Sequence, residues 1–295
     1  MVCVLALLLC LLSWAPSQAQ QLNLVAREHS LASGLVAWWR AVPGFTMGIT
    51  FYDLMGFTNG TLMNMQGGLG PISGWSGTAR EGGYMQMNFN TDDDYITFGT
   101  APVLSDLPQK TIACWIYLKS FGGGSLARIL DKQTSNGWFL QVNNSEIVNG
   151  FSLLQDATSF YKWGVANTLT LNTWTHIAVV YDNTGPFQPV FYVNGVNQAS
   201  VTTITAGSGA ALSDAASTLY LGDNATATRI LDGSVDDIRI YNRLMTPGQV
   251  RLLYNLSLQG DPGLLMQPGL QAVAYAPLVG NPDFFPFFRP PHLGR

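Results

Sequence analysis

From residue 34 to about residue 243, apolar and polar positions follow one another in short runs broken by Gly, Asn, Asp and Pro. That spacing predicts many short strands joined by turns, the pattern of a β-sandwich. The runs fall at residues 34–40, 95–98, 111–118, 137–142, 151–154, 160–163, 174–182, 190–193, 219–222 and 233–241. Residues 111–118 (Thr-Ile-Ala-Cys-Trp-Ile-Tyr-Leu) are rich in branched and aromatic side chains, which favour a pleated, packed surface. Residues 174–182 are almost continuously apolar, as expected of a strand covered on both faces. Between the run at 190–193 and a partner starting at Val196 stands Asn194-Gly195, a tight-hairpin signal because both positions need positive φ. One helix is predicted after residue 246: Thr246 as N-cap, Pro247 in the first turn, Gln249 closing a capping box, and Val250, Leu253 and Tyr254 on one face.

Both ends of the chain break the pattern. Residues 2–15 are almost uninterruptedly apolar, too short for the roughly 20 residues of a membrane span but suited to a signal-peptide core. Ser17-Gln18-Ala19 offers the small residues a signal peptidase accepts, although no Lys or Arg precedes the apolar run. The expectation is a signal peptide over 1–19 and a secreted or cell-surface protein. The alternative is an apolar N-terminal segment that is retained and packs on a partner chain. Residues 257–295 are dense in Pro and end in Phe284-Phe285-Pro286-Phe287-Phe288, which blocks helices and ladders alike and predicts an extended tail. So apolar a tail suggests docking on a neighbouring copy or a particle scaffold. The expected organisation is 1–19, a linker over 20–32, a domain over 33–256 and the tail over 257–295.

Composition narrows the function. Charged residues are 11% against 47% hydrophobic, so the surface is covered by Asn, Gln, Ser, Thr and Gly, as in extracellular or particle-surface proteins. A net charge of −4 without a basic run argues against a nucleic-acid partner. Removal of residues 1–19 takes Cys3 and Cys10 with it, leaving Cys114 without a disulfide partner and best placed as a small buried hydrophobe.

Six segments in order carry a family resemblance. Gly34-Leu-Val-Ala-Trp-Trp, Asp53-Leu-Met-Gly with Asn59-Gly-Thr-Leu, Asp93-Asp-Tyr-Ile and Thr111-Ile-Ala-Cys-Trp-Ile form the first part. Residues 172–182, with Phe191-Tyr-Val-Asn-Gly-Val196 behind them, and residues 233–244 form the second. Together they resemble the laminin G-like, concanavalin A-like lectin/glucanase family. The resemblance covers roughly residues 33–256. It implies an all-β, two-sheet antiparallel jelly-roll sandwich with a short C-terminal helix, often with a structural calcium ion, in proteins that bind glycans or surfaces. The fold hosts many functions, so the site must decide among them.

Catalytic chemistry finds little support. The only Glu residues are 28, 81 and 146, widely scattered, and no strand carries the paired carboxylates of a retaining glycosidase. His176 stands mid-strand and reads as a packed side chain; His29 and His292 lie near the ends. No Gly-x-Ser-x-Gly elbow and no zinc spacing occurs. No catalytic residue is expected. For calcium, which takes hard oxygens, Asp53 and Asn59 in the early loop and Asp236 and Asp237 in the last strand are the candidates, since first and last segments of a jelly roll run side by side. For a glycan, the aromatic candidates are Trp75, Tyr84, Trp138, Tyr161 and Trp163, each weighed against a place in the core. The expected function is a non-enzymatic binding or adhesion module, carbohydrate-binding and exported. The alternatives are a structural or decoration protein of a virus particle or cell envelope anchored by its tail, and a carbohydrate-active enzyme.

Overall fold

The computed structural model describes residues 31–41, 48–65, 73–75, 87–89, 94–184 and 188–258. The chain divides into a segment 1–34, of which residues 31–34 close a helical turn, and a unit starting at Leu35. The signal-peptide reading, Tyr84 and the tail from residue 259 lie outside the described residues.

Numbered along the chain, the strands form two antiparallel sheets. Sheet A runs β14 (Val196–Asn197), β13 (Val190–Val193), β12 (Trp174–Asp182), β7 (Gln109–Leu118), β17 (Gly233–Tyr241), β5 (Met87–Phe89) and β4 (Gly74–Trp75), with β1 (Leu35–Trp39) also paired to β17. Sheet B runs β15 (Thr202–Thr205), β11 (Tyr161–Val165), β10 (Gly150–Gln155), β9 (Trp138–Asn143), β8 (Arg128–Lys132), β16 (Tyr220–Leu221), β6 (Tyr95–Thr97), β3 (Gly60–Met63) and β2 (Thr50–Phe51). The two-sheet sandwich expected from the sequence is what the chain forms.

Side chains alternate across each strand, and one set from each sheet meets in the middle. Ile112, Cys114, Ile116, Ile177, Val179 and Ile240 from sheet A face Leu130, Trp138, Leu140, Phe151, Leu153 and Trp163 from sheet B. Cys114 is fully buried and free, and burial pushes its thiol well above the ordinary range, so it is inert.

The other face of sheet A is covered by α1 (Pro247–Leu258). The Gln249 N–H donates to Thr246 Oγ1 (3.3 Å) and the Thr246 N–H to Gln249 Oε1 (3.0 Å), the reciprocal capping box read from the sequence. Under the helix, His176 packs edge-on to Trp115 (5.4 Å) and against Tyr254 (5.6 Å), and Trp115 Nε1 donates to Ser257 Oγ (2.9 Å). The helix thus continues two residues past the expected domain end at 256 and is tied down there. At the hairpin between β13 and β14, Asn194 (φ 49°) and Gly195 (φ 75°) both take the left-handed conformation that the dipeptide predicted.

Strand β17 holds one irregularity with consequences. Between Asp236 and Arg239 its register to β7 shifts, and Asp237 takes φ 51°. This bulge turns the Asp237 carboxylate toward β1 on the neighbouring side.

Candidate functional site

Of the four residues considered for calcium, Asp53 and Asp237 both bond Trp38, one at its backbone and the other at its ring. The Trp38 and Met55 N–H groups donate to Asp53 Oδ1 (both 2.9 Å), and the Phe57 and Thr58 N–H groups to Oδ2 (3.1 and 3.0 Å). Four donors fill the four lone-pair positions of that carboxylate. Asn59 Oδ1 accepts the Asp53 N–H (2.9 Å). From the other side, Trp38 Nε1 donates to Asp237 Oδ1 (2.7 Å), as does Arg239 Nε (2.9 Å), while the Arg239 Nη2 reaches Oδ2 (3.1 Å). Asp236 Oδ1 accepts the Asp237 N–H (2.8 Å). The cation at this junction is the Arg239 guanidinium, 4.3 Å from the centroid of the Trp38 ring. This donor set braces the fold and does not fit a calcium ion. Among the described residues no group of three or more His, Cys, Asp or Glu side chains gathers.

The aromatic candidates need correcting. Trp75, Trp138 and Trp163 are buried, at 0%, 1% and 3% exposure, and belong to the core rather than to any platform. Trp75 Nε1 donates to the Gly48 carbonyl (2.8 Å) and its ring meets Phe51 edge-on (5.5 Å). Each of the three Trp sits on the inward set of a strand. Tyr161 is partly exposed, stacked on Trp163 (5.3 Å) with its hydroxyl on the Gly209 carbonyl (3.3 Å).

A different set of side chains lies on the outer face of sheet B. Directly paired residues form one row across all nine strands: Thr50, Thr61, Thr97, Tyr220, Asp131, Phe139, Leu154, Lys162 and Thr205. From Thr50 to Lys162 each alternates with a core residue, so the row faces away from sheet A. At one end it is open. Thr61 is exposed, Thr50, Thr97 and Tyr220 are partly exposed, and the Tyr220 ring meets partly exposed Tyr95 edge-on (5.6 Å). Toward the other end Asp131, Phe139, Leu154 and Lys162 are buried.

That buried stretch is bonded within itself. Arg128 lies over the Phe139 ring (3.5 Å to the centroid), pairs with Asp131 (2.8 Å) and donates to Gln141 Oε1. Gln141 Nε2 donates to Ser152 Oγ (3.0 Å), and Lys162 pairs with Glu146. Ile147, in the β9–β10 loop, closes over Gly164, where an added Cβ would stand 2.6 Å from Ile147 Cδ1. Burial lifts the Asp131 and Asp223 carboxyls above the usual carboxylate range, with Arg128 opposing. The open row therefore offers hydroxyls and two phenol rings, edged by a charged, hydrogen-bonded wall. An aromatic face beside fixed polar groups suits a flat polyol.

At one end of the sandwich the loops leave a groove of about 370 Å³, lined by Asp106, Gln155, Asn183, Leu212 and Asp214 among others. Asp106 and Asp214 each accept the other's backbone N–H (3.0 and 2.8 Å), joining two loops. Behind the groove, Lys110 is buried between the sheets, donating to Gln155 Oε1 (3.2 Å) with the Trp138 and Tyr181 rings at 5.5 and 5.7 Å. Burial pushes its ammonium down to about 8, against Asp214.

A jelly-roll sandwich with a polar, aromatic-bearing sheet face defines the class as lectin/glucanase-like. The chain belongs to the concanavalin A-like lectin/glucanases superfamily, whose Laminin_G_3 family model matches residues 90–251. The early motifs at 34–39 and 53–62 lie before that match. No curated protein sequence matches the chain. Among solved structures it is similar to domain 4 of AbnA, a GH43 extracellular arabinanase from Geobacillus stearothermophilus in complex with arabinotriose: 18% identity, 75% of this chain and 98% of that one, TM-score 0.52. It is similar to the binding domain of Paraclostridial Mosquitocidal Protein 1 (15% identity, 78% and 55%, TM-score 0.54) and to Trypanosoma rangeli sialidase (14%, 78% and 34%, TM-score 0.51). The chain spans about half of the toxin domain and a third of the sialidase. At these identities the likeness is one of fold.

Proposed function

We propose that this chain is a non-enzymatic carbohydrate-binding module, exported or surface-displayed, whose ligand lies along the open row of sheet B. The observation that carries the reading is the partly exposed Tyr95–Tyr220 pair flanked by Thr61 and Thr97. A sugar ring stacks its C–H face on a phenol while the neighbouring Thr61 and Thr97 hydroxyls take its polar edge. Membership of a lectin/glucanase superfamily supports it, as does the likeness to an arabinanase domain determined with arabinotriose. Export rests on the apolar run at residues 2–15.

Binding without cleavage is supported by the carboxylates. On the sheet B face, Asp131 is held by Arg128 and by the Gln133 N–H (3.0 Å), and in the groove Asp106 and Asp214 bond each other's loops. Neither place leaves two carboxyl groups to serve as acid and base across an open cleft, as glycoside hydrolysis needs. A glycan array probed with the full chain is expected to retain it on at least one class of oligosaccharide. Incubation with the retained glycan is expected to release no reducing ends. Turnover abolished by Asp214→Asn would replace the reading with an enzymatic one.

A further inference from the structure

The charges beside the open row go beyond the class of ligand to its chemistry, and this inference rests on the carbohydrate-binding reading. The chain carries only 14 Lys and Arg, yet three converge on one patch of sheet B. Arg128 and Lys162 share the Phe139 ring, at 3.5 and 5.7 Å from its centroid. Arg229 belongs to the loop between β16 and β17, whose carbonyl accepts the Arg128 N–H (2.8 Å). Burial holds both Arg128 and Lys162 below their ordinary values, against Asp131 and Glu146 respectively, and the charge of Arg229 adds to it in each. So the three cations feel one another.

Their counter-ions are distributed unevenly. Asp131 (3% exposed) and Asp223 (0%) are buried, Asp131 on Arg128 and Asp223 accepting the Asn224 and Arg229 N–H groups (2.7 and 2.8 Å). Glu146, whose side chain is 33% exposed, is bound to Lys162. The Arg229 guanidinium, partly exposed, donates to a neutral acceptor, the Gly123 carbonyl (3.4 Å). A partly exposed guanidinium on a neutral acceptor, with a second Arg beside it, can take a planar anion.

We propose that the glycan bound on this face is acidic, its carboxylate or sulfate group meeting Arg229 while a sugar ring lies on Tyr220. Tyr220 and Arg128 stand on either side of Asp131, Tyr220 as its cross-strand partner and Arg128 as its ion-pair partner. The Tyr220 ring and Arg229 therefore both neighbour strand β8.

The test is titration of the full chain with polygalacturonate, dextran sulfate and a neutral arabinan at low and moderate salt. The acidic chains are expected to bind at least about tenfold more tightly than the neutral one, with the gap shrinking as salt screens it. Arg229→Gln is expected to weaken the acidic chains about tenfold, the order of one charge-assisted hydrogen bond, and to leave the neutral one unchanged. Arg251→Gln, the same charge change on exposed α1, is expected to change neither. Preference for polygalacturonate assigns a carboxylate and preference for dextran sulfate a sulfate. Neutral binding equal to acidic, or an acidic preference untouched by Arg229→Gln, overturns the proposal alone. No binding to any glycan overturns it together with the carbohydrate reading.

Discussion

Replacing Asp237 by Ala is expected to lower the unfolding free energy by about 3 to 5 kcal/mol, the cost of leaving a buried charge without its partner. Arg239 is 4% exposed, and burial alone would push its guanidinium down; Asp237, with Tyr241, outweighs that and holds it above its ordinary value. Without the carboxylate, the guanidinium keeps its place over Trp38 but loses a bidentate acceptor, and Trp38 Nε1 loses its own. Asp237 also holds the left-handed corner of the bulge, which Ala tolerates less well than Asp. Asp237→Asn keeps the corner and one acceptor, and is expected to cost less, about 2 to 3 kcal/mol. Urea unfolding of the two variants measures both. A loss below about 1 kcal/mol in Asp237→Ala would mean that the β1–β17 junction is held by the strands alone.

Lys110→Met is expected to act in the opposite direction and to stabilise the protein near neutral pH. The ammonium is 1% exposed, and burial brings it to about 8 from an ordinary 10.5. In the unfolded chain it stays protonated up to the higher value. Below about pH 8 both states carry the proton and the folded state bears the full penalty. Between about 8 and 10.5 only the unfolded state binds it, so folding becomes more favourable as pH rises. The displacement corresponds to roughly 3 kcal/mol at pH 7. The bond to Gln155 and the two ring contacts are lost as well, so the net gain is expected at about 1 to 2 kcal/mol. Thermal melts of both proteins from pH 6.5 to 10 check this: the advantage of the variant is largest below about pH 8 and fades as the pH rises from there toward 10. A variant less stable at pH 7, or an advantage independent of pH, would contradict the assignment.

How much of this was readable in the sequence follows from which side chains kept their local habits. Residues 174–182 and 233–241 were bounded correctly because their apolar runs end in turn-forming residues. Strand β8 was missed because Arg128, Asp131 and Lys132 made it look like a loop. Their charges are met by distant partners, Lys132 by the carbonyls of Thr100, Asp214 and Ser217. Strands of two to four residues, such as β2 to β5, are too short to show a period. The candidate site was missed for a different reason. Of the five aromatic candidates, Trp75, Trp138 and Trp163 belong to the core, where large apolar area is worth most. The signal for the proposed face was local: Tyr95 precedes Ile96, and Tyr220 stands between Leu219 and Leu221, so each Tyr points opposite a core residue. Convergence of Asp53 and Asp237 was legible from topology; that Trp38 and Arg239 occupy the meeting point depended on a bulge that no spacing announces.

The account turns on whether the open face of sheet B holds sugar, and calorimetric titration of Tyr220→Ala beside the unaltered chain, with a glycan the latter retains, decides it. The predicted result is an affinity at least about tenfold weaker in the variant, at unchanged melting temperature, because the ring on which a saccharide rests is gone. Equal affinity in the two proteins would place the ligand elsewhere and contradict the account.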